Sequence, residues 1–115
     1  MKVYGITNCS TVKKALDWLK ANRVAYEFQD FKKLGVEYGK LLDWVSQVGM
    51  EKLINKQGLT WKQLDPAVKE GIKTPKDALL LLQQKTSMIK RPVIEDGSFL
   101  FFGFDEEVYK KHFLG

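Results

Sequence analysis

The sequence predicts an α/β (α+β) fold in which a βαβ unit is followed by a helical insertion and then by a ββα unit. Changes of hydrophobic periodicity indicate this order. The first 31 residues change from strand to helix and back to strand, and a turn signal near the carboxyl terminus joins two strand-like runs. A length of 115 residues fits a single domain spanning residues 1–115, with the insertion at about 36–86.

Composition and charge exclude several classes of protein. Apolar residues make up 44% of the chain and charged residues 29%, which is typical of a soluble globular protein. No run reaches the roughly 18–20 apolar residues of a membrane helix, and a signal-peptide pattern is absent. We therefore expect a cytoplasmic protein without a membrane partner. The formal charge of +5 comes from scattered lysines, so we expect no direct binding of nucleic acid.

The amino-terminal region predicts the βαβ unit. Residues 2–7 form the first strand, and about residues 24–31 form the second, in which Val24, Tyr26 and Phe28 alternate with polar residues. The helix between them is indicated by apolar residues at i, i+3, i+4 and i+7: Val12, Ala15, Leu16 and Leu19. Candidate N-caps are Asn8, Ser10 and Thr11, and Asn22 is the predicted stop. One helix between two strands implies parallel strands with a right-handed crossover.

The middle of the chain predicts helices. One apolar face ends at Gly49, a predicted C-terminal cap, and it consists of Leu41, Trp44, Val45 and Val48. Residues 50–58 predict a short helical turn and a loop. Asp65-Pro66 and Thr74-Pro75 each place a capping residue before a proline suited to the first helical position. The helix that begins at Thr74 is expected to run to about Lys85, after a capping box closed by Asp77.

The carboxyl-terminal part predicts a hairpin and a helix. Residues 92–95 and 98–102 are strand-like, and Asp96-Gly97 between them is a favoured two-residue turn. Asp105 begins a last helix, which Lys110 and Lys111 are expected to end with the charge that the helix dipole favours. The complete order of elements is that of a thioredoxin-like fold with a helical insertion.

Cys9 is the only cysteine in the chain, which excludes an intramolecular disulfide and a cysteine-rich zinc site. It lies where the first strand ends and the first helix begins. Helix N–H groups without intrahelical partners and the helix dipole both stabilise a thiolate, so we expect a lowered pKa. Ser10 and Thr11 offer further hydrogen bonds, and Lys13 adds positive charge. The alternative is that Cys9 only fills a small gap as a buried apolar side chain.

Arg91-Pro92 is the second candidate feature. A proline before a strand has a simple explanation, since a strand can begin there without an N–H. The other interpretation is a cis peptide bond between Arg91 and Pro92 that holds a backbone edge near the thiol. In thioredoxin-like folds such a proline lies beside the active cysteine, which implies that Arg91 lies there too, where a guanidinium can bind an oxyanion or a carboxylate through two hydrogen bonds. The single histidine, His112, is expected at the surface.

Three segments resemble the arsenate-reductase (ArsC) family: residues 3–11 (VYGITNCST), 53–58 (LINKQG) and 87–94 (SMIKRPVI). The resemblance covers essentially the whole chain in the same order, and the last segment is its most specific part. The chain resembles the small members called YffB-like, and the Spx-type transcription regulators are related to them.

The resemblance implies a chemistry. In arsenate reductases of this family one cysteine attacks arsenate, three arginines hold the oxyanion, and glutathione with glutaredoxin resolves the adduct. Cys9 matches the nucleophile, and Arg91 matches the arginine before a cis proline. The other two arginine positions fall near Asn55, beside Lys56, and near Gly103. Lysine supplies charge without the planar fork of arginine, so we do not expect efficient arsenate reduction.

We therefore predict a glutathione- or thiol-dependent reductase with no bound cofactor and no metal. Cys9 attacks, Arg91 holds the anionic group, and Pro92 shapes the backbone, while Lys13 and Lys56 add positive charge. Glutathione or another small thiol, with glutaredoxin, releases the adduct.

The alternative is an Spx-like redox-responsive regulator that docks on a protein such as RNA polymerase. An intramolecular Cys-x-x-Cys switch cannot form, because the loop reads Cys9-Ser10-Thr11-Val12.

Overall fold

The computed structural model describes residues 1–115, which divide into two compact units. The first contains residues 1–31 and 91–115, and the second contains residues 32–90. The second unit corresponds to the predicted helical insertion, which begins and ends about four residues outside the predicted bounds. The organisation of both units as a single domain stays a prediction.

The first unit is built on a four-stranded mixed sheet, which confirms the predicted fold class. Its elements are β1 (Lys2–Gly5), α1 (Ser10–Ala21), β2 (Glu27–Asp30), β3 (Val93–Asp96), β4 (Phe99–Phe102) and a carboxyl-terminal helix. The strand order is β2-β1-β3-β4. Strands β1 and β2 are parallel, as predicted for a βαβ unit, and β3 is antiparallel to both β1 and β4.

The bounds of the βαβ unit differ from those predicted. β1 ends at Gly5 and not at Thr7, and α1 begins at Ser10 with Cys9 as its N-cap, so the candidates Asn8, Ser10 and Thr11 were wrong. Asn22 is confirmed as the C-cap. β2 begins three residues late because residues 23 and 24 close α1: their N–H groups donate to helix carbonyls at 3.1 and 2.9 Å.

The bounds of the hairpin and of the last helix also differ from those predicted. Asp96 pairs with Phe99 across the hairpin, so the turn residues are Gly97 and Ser98. Gly97 has φ 59°, at the glycine position of a type II′ turn. The last helix, named α8 because seven helices precede it in the chain, spans Glu106–Tyr109 with Asp105 as its N-cap. It does not end at Lys110 and Lys111, because a π turn continues over Lys110–Leu114.

The core of the first unit joins α1, the sheet and α8 through five fully buried residues: Val3, Ala15, Leu19, Ile94 and Tyr109. Tyr109 is the largest of them and contacts Trp18, Phe101 and Phe104 through edge-to-face ring pairs. Its hydroxyl donates a hydrogen bond to the Gly103 carbonyl at 2.8 Å. The polar hydroxyl of this core tyrosine therefore has a hydrogen-bond partner.

The second unit is helical. Helix α2 (Phe31–Leu34) follows β2 directly, and the others are α3 (Tyr38–Val48), α4 (Met50–Leu53), α5 (Leu59–Lys62), α6 (Pro66–Glu70) and α7 (Pro75–Gln84), with a 3₁₀ turn at Thr86–Met88. Helices α3 and α7 pack on each other. The predicted caps Gly49, Asp65 and Thr74 are confirmed, as is the capping box between Thr74 and Asp77. None of the helices of the chain has the length and apolar character to cross a membrane.

Helix α1 lies very close to β1 at Gly5. A Cβ atom on Gly5 would lie 2.9 Å from one γ-methyl group of Val12 and 3.3 Å from the other. Val12 is itself only 1% exposed, so it has little space into which to move. A residue without a side chain at position 5 is what permits this approach of helix to strand.

We expect Gly5→Ala to lower the free energy of unfolding by about 1–3 kcal/mol, because the added methyl group overpacks the contact with Val12. Urea denaturation monitored by circular dichroism measures this. Gly39→Ala is the matched control, since a Cβ at Gly39 meets nothing within 4 Å. Equal stability of both variants would contradict the close-packing account.

Candidate active site

Cys9 lies between β1 and α1, as predicted. It adopts an extended backbone (φ −117°, ψ 123°) as the N-cap of α1, and its carbonyl accepts the first helical hydrogen bond from Lys13 N–H at 3.0 Å. The side chain is half-buried and forms no disulfide. The sulfur therefore lies at the N-terminal end of a twelve-residue helix, where the first N–H groups lack helical partners.

The pKa of the Cys9 thiol is lowered from its ordinary value of 9.0. Burial acts in the opposite direction and is the largest single influence. It is outweighed by the nearby backbone N–H of Val12, the positive charge of Arg91, the backbone N–H of Thr11 and the polar Arg91 side chain, although the Cys9 side chain forms no capping hydrogen bond in α1. All four favour the thiolate, which is the nucleophilic form. The direction of this pKa shift is the one expected for an activated thiol, and the role of Cys9 as nucleophile stays a prediction.

Arg91 and Pro92 form the second half of the site. The peptide bond between them is cis, which was the sharper of the two interpretations, and Pro92 directly precedes β3. Pro92 is buried and Arg91 is half-buried. The Pro92 carbonyl accepts a hydrogen bond from Gly103 N–H at 2.8 Å, which ties this segment to the residue after β4.

The other predicted site residues have different surroundings. Ser10 and Thr11 open α1, and it is the Thr11 backbone that acts on the sulfur. Lys13 Nζ pairs with Asp17 Oδ2 at 3.2 Å. Lys56 belongs to the second unit, where its Nζ pairs with Glu51 Oε1 at 3.1 Å. Roles for the Ser10 hydroxyl and for both lysine charges stay predictions.

Val12 is the site residue that sequence reasoning missed. Its apolar side chain marked it as a core residue, and its contribution to the site is made by the backbone. The signal was present in the spacing, because an N-cap side chain accepts from the second or third helical N–H. Once Cys9 is the N-cap, Thr11 and Val12 occupy those two positions.

The remaining candidate groups lie outside this chemistry. His112 stacks on Phe99 with ring centroids 3.7 Å apart, and its Nε2 lies 2.7 Å from Asp96 Oδ2 on the hairpin. No group of three or more His, Cys, Asp or Glu side chains is placed to hold a metal ion. The site is therefore a thiol beside a guanidinium and a helix N-terminus.

Comparison with known proteins gives one family. A family model described as ArsC matches residues 4–112. An uncharacterized protein of Haemophilus influenzae is 41% identical over 113 residues, with 96% of each chain covered. The global transcriptional regulator Spx of Enterococcus faecalis is 23% identical over 114 residues, covering 96% of this chain and 84% of Spx.

Solved structures agree with this result. A YFFB protein superposes with a TM-score of 0.88 at 37% identity, with 96% of each chain covered. An arsenate reductase (ArsC) related protein of Brucella melitensis gives a TM-score of 0.75 at 36% identity, covering 97% of this chain and 92% of that one.

The rate of Cys9 alkylation by iodoacetamide should reach half its plateau below pH 9.0, the ordinary pKa of the thiol. Arg91→Ala should move this midpoint to higher pH, because it removes a charge and a hydrogen bond that both favour the thiolate. Lys14→Ala is the control, since Lys14 is an exposed cation of α1, the helix that Cys9 caps. A midpoint unchanged by Arg91→Ala would show that the guanidinium does not act on the sulfur.

Proposed function

The chain belongs to the ArsC family, and on that premise we propose that it is a thiol-dependent reductase with Cys9 as nucleophile and glutathione as co-substrate. One observation carries the proposal: Cys9 is the N-cap of the twelve-residue helix α1, where the first N–H groups of the helix and the Arg91 guanidinium favour a lowered pKa of the thiol. A purely structural cysteine requires no such arrangement, whereas a nucleophilic thiol depends on it.

The proposed substrate is a mixed disulfide between a thiol and glutathione. The Cys9 thiolate attacks the glutathione sulfur, the substrate leaves as a thiolate that takes a proton from water, and Cys9 becomes glutathionylated. A second glutathione thiolate then attacks this adduct, which releases oxidised glutathione and restores the Cys9 thiolate. The net reaction consumes one glutathione thiol, converts the mixed disulfide into oxidised glutathione and releases the substrate as a thiol. An external thiol is needed, because Cys9 is the only cysteine.

Arg91 is proposed to hold an anionic group of the substrate next to the sulfur. Glutathione carries carboxylates, and a guanidinium binds a carboxylate through two parallel hydrogen bonds. The proposal keeps the predicted cytoplasmic location, where glutathione maintains thiols in the reduced state. Glutaredoxin remains a proposed partner for removing the adduct.

Arsenate is a poor candidate for the substrate. The two further arginine positions implied by the family resemblance are occupied by Asn55 and Gly103. Gly103 has φ 100°, a conformation that strains any residue with a side chain. The backbone after β4 is therefore unsuited to present an arginine from that position. Arg91 alone offers much less stabilisation to a fully charged oxyanion than three arginines.

Similarity to Spx supports a second candidate function, a regulator that docks on another protein. The similarity extends over nearly the whole chain. In this case Cys9 would sense oxidants through glutathionylation, since a two-cysteine switch is impossible in this loop.

Cys9→Ser should abolish turnover of a glutathione mixed disulfide. Arg91→Lys should lower kcat/KM about ten- to hundredfold, because loss of the planar fork removes a charge-assisted hydrogen bond of roughly 1.5–3 kcal/mol. Arg23→Lys is the matched control at the only other arginine. Turnover that survives in Cys9→Ser would rule out the proposed nucleophile.

The two candidate functions are separated by a pull-down of RNA polymerase subunits with the tagged chain. The reductase proposal expects Cys9-dependent thiol transfer and no stable complex. A stable complex that is unaffected by Cys9→Ser, together with absent thiol transfer, would contradict the reductase and support the regulator.

A further inference from the structure

A groove of about 430 Å³ lies along α1 in the first unit, close to the thiol. Its floor is apolar and consists of Leu16, Tyr26 and Phe28, all half-buried. Its exposed rim is formed by three charged residues of α1, Lys13, Asp17 and Lys20, and Thr7 lies at one end. The volume is within the range of pockets that bind ligands.

The groove adjoins the site of Cys9. Val12, which belongs to the first turn of the helix that Cys9 caps, lines the groove. Thr7 lies two residues before Cys9 in the same loop. When the sulfur of a bound molecule reaches Cys9, the atoms next to that sulfur can therefore contact the end of the groove.

The charges of the rim favour an anionic occupant. Lys13 is paired with Asp17 at 3.2 Å, so these two charges largely compensate each other. Lys20 lies at the far end, is exposed and forms no salt bridge within the chain. An occupant with an apolar part over Leu16 and Phe28 and a negative charge near Lys20 complements both features.

The length of the groove favours a polypeptide over a small thiol as the bound molecule. Val12 and Lys20 are eight residues apart on one helix, which corresponds to about 12 Å along its axis. A small thiol that reaches the sulfur leaves the distal end empty. An extended polypeptide spans the same distance with about four residues at roughly 3.3 Å each.

We propose that this groove binds the polypeptide segment that flanks the reacting cysteine of a glutathionylated protein, with apolar side chains next to that cysteine and acidic side chains about four residues away. The inference rests on the proposed function for its chemistry, since it names the substrate class of the same site. The covalent steps are those given above, with a protein thiolate as the leaving group.

The test separates binding from chemistry by using a fluorescein-labelled peptide without cysteine, Asp-Asp-Gly-Leu-Ala-Leu-Gly-Asp-Asp, which reads the same in both directions. Fluorescence anisotropy with the full chain measures its dissociation constant. A peptide with lysine in place of each aspartate should bind at least tenfold more weakly. Lys20→Glu should weaken binding of the acidic peptide about five- to tenfold, whereas Lys14→Glu, the same charge change on α1 outside the groove, should have a much smaller effect.

If Lys20→Glu and Lys14→Glu weaken peptide binding equally, the proposed peptide site is overturned, because binding then responds only to the net charge of the chain. Absence of peptide binding would also overturn it. Turnover of the cysteine–glutathione mixed disulfide by the unmodified chain is measured in parallel. Peptide binding at the groove without turnover would contradict the proposed reductase activity and leave the proposed peptide site standing. Turnover without peptide binding would contradict the peptide site and leave the reductase activity standing.

Discussion

Val12 packs its side chain against Gly5 of the sheet and contributes one of the first N–H groups of α1, which lie near Cys9, and the thiol site depends on this packing contact. The close approach at Gly5 fixes where α1 begins relative to β1. The start of the helix in turn determines which N–H groups meet the sulfur. Packing and electrostatics at the site are thus consequences of one contact between a helix and a strand.

The half-buried position of Cys9 balances two requirements. Burial alone raises the pKa of a thiol and would make it unreactive. The guanidinium of Arg91 and the two helix N–H groups more than offset this effect. The two N–H groups belong to the first turn of α1, and Arg91 lies two residues before β3.

The fold was largely predictable from sequence because its signals are local. Alternation, helical spacing and caps such as Asp65, Thr74 and Asp105 identified the elements, and the cis peptide bond was one of two interpretations of Pro92. The errors concern ends of elements. Arg23 closes α1 with a positive φ, and only tertiary structure shows that the following residues are not yet strand. Backbone groups such as Val12 N–H carry no signature in the side-chain pattern, so this part of the site was missed.

A chain of hydrogen bonds connects the carboxyl-terminal helix to the thiol site. The Tyr109 hydroxyl donates to the Gly103 carbonyl, and Gly103 N–H donates to the Pro92 carbonyl, next to Arg91. The backbone next to Arg91 is thereby linked to a tyrosine that lies far along the sequence. An assay of thiol reactivity is consequently also a sensor of carboxyl-terminal folding, and a fusion or truncation that disturbs Tyr109 will register as altered cysteine chemistry.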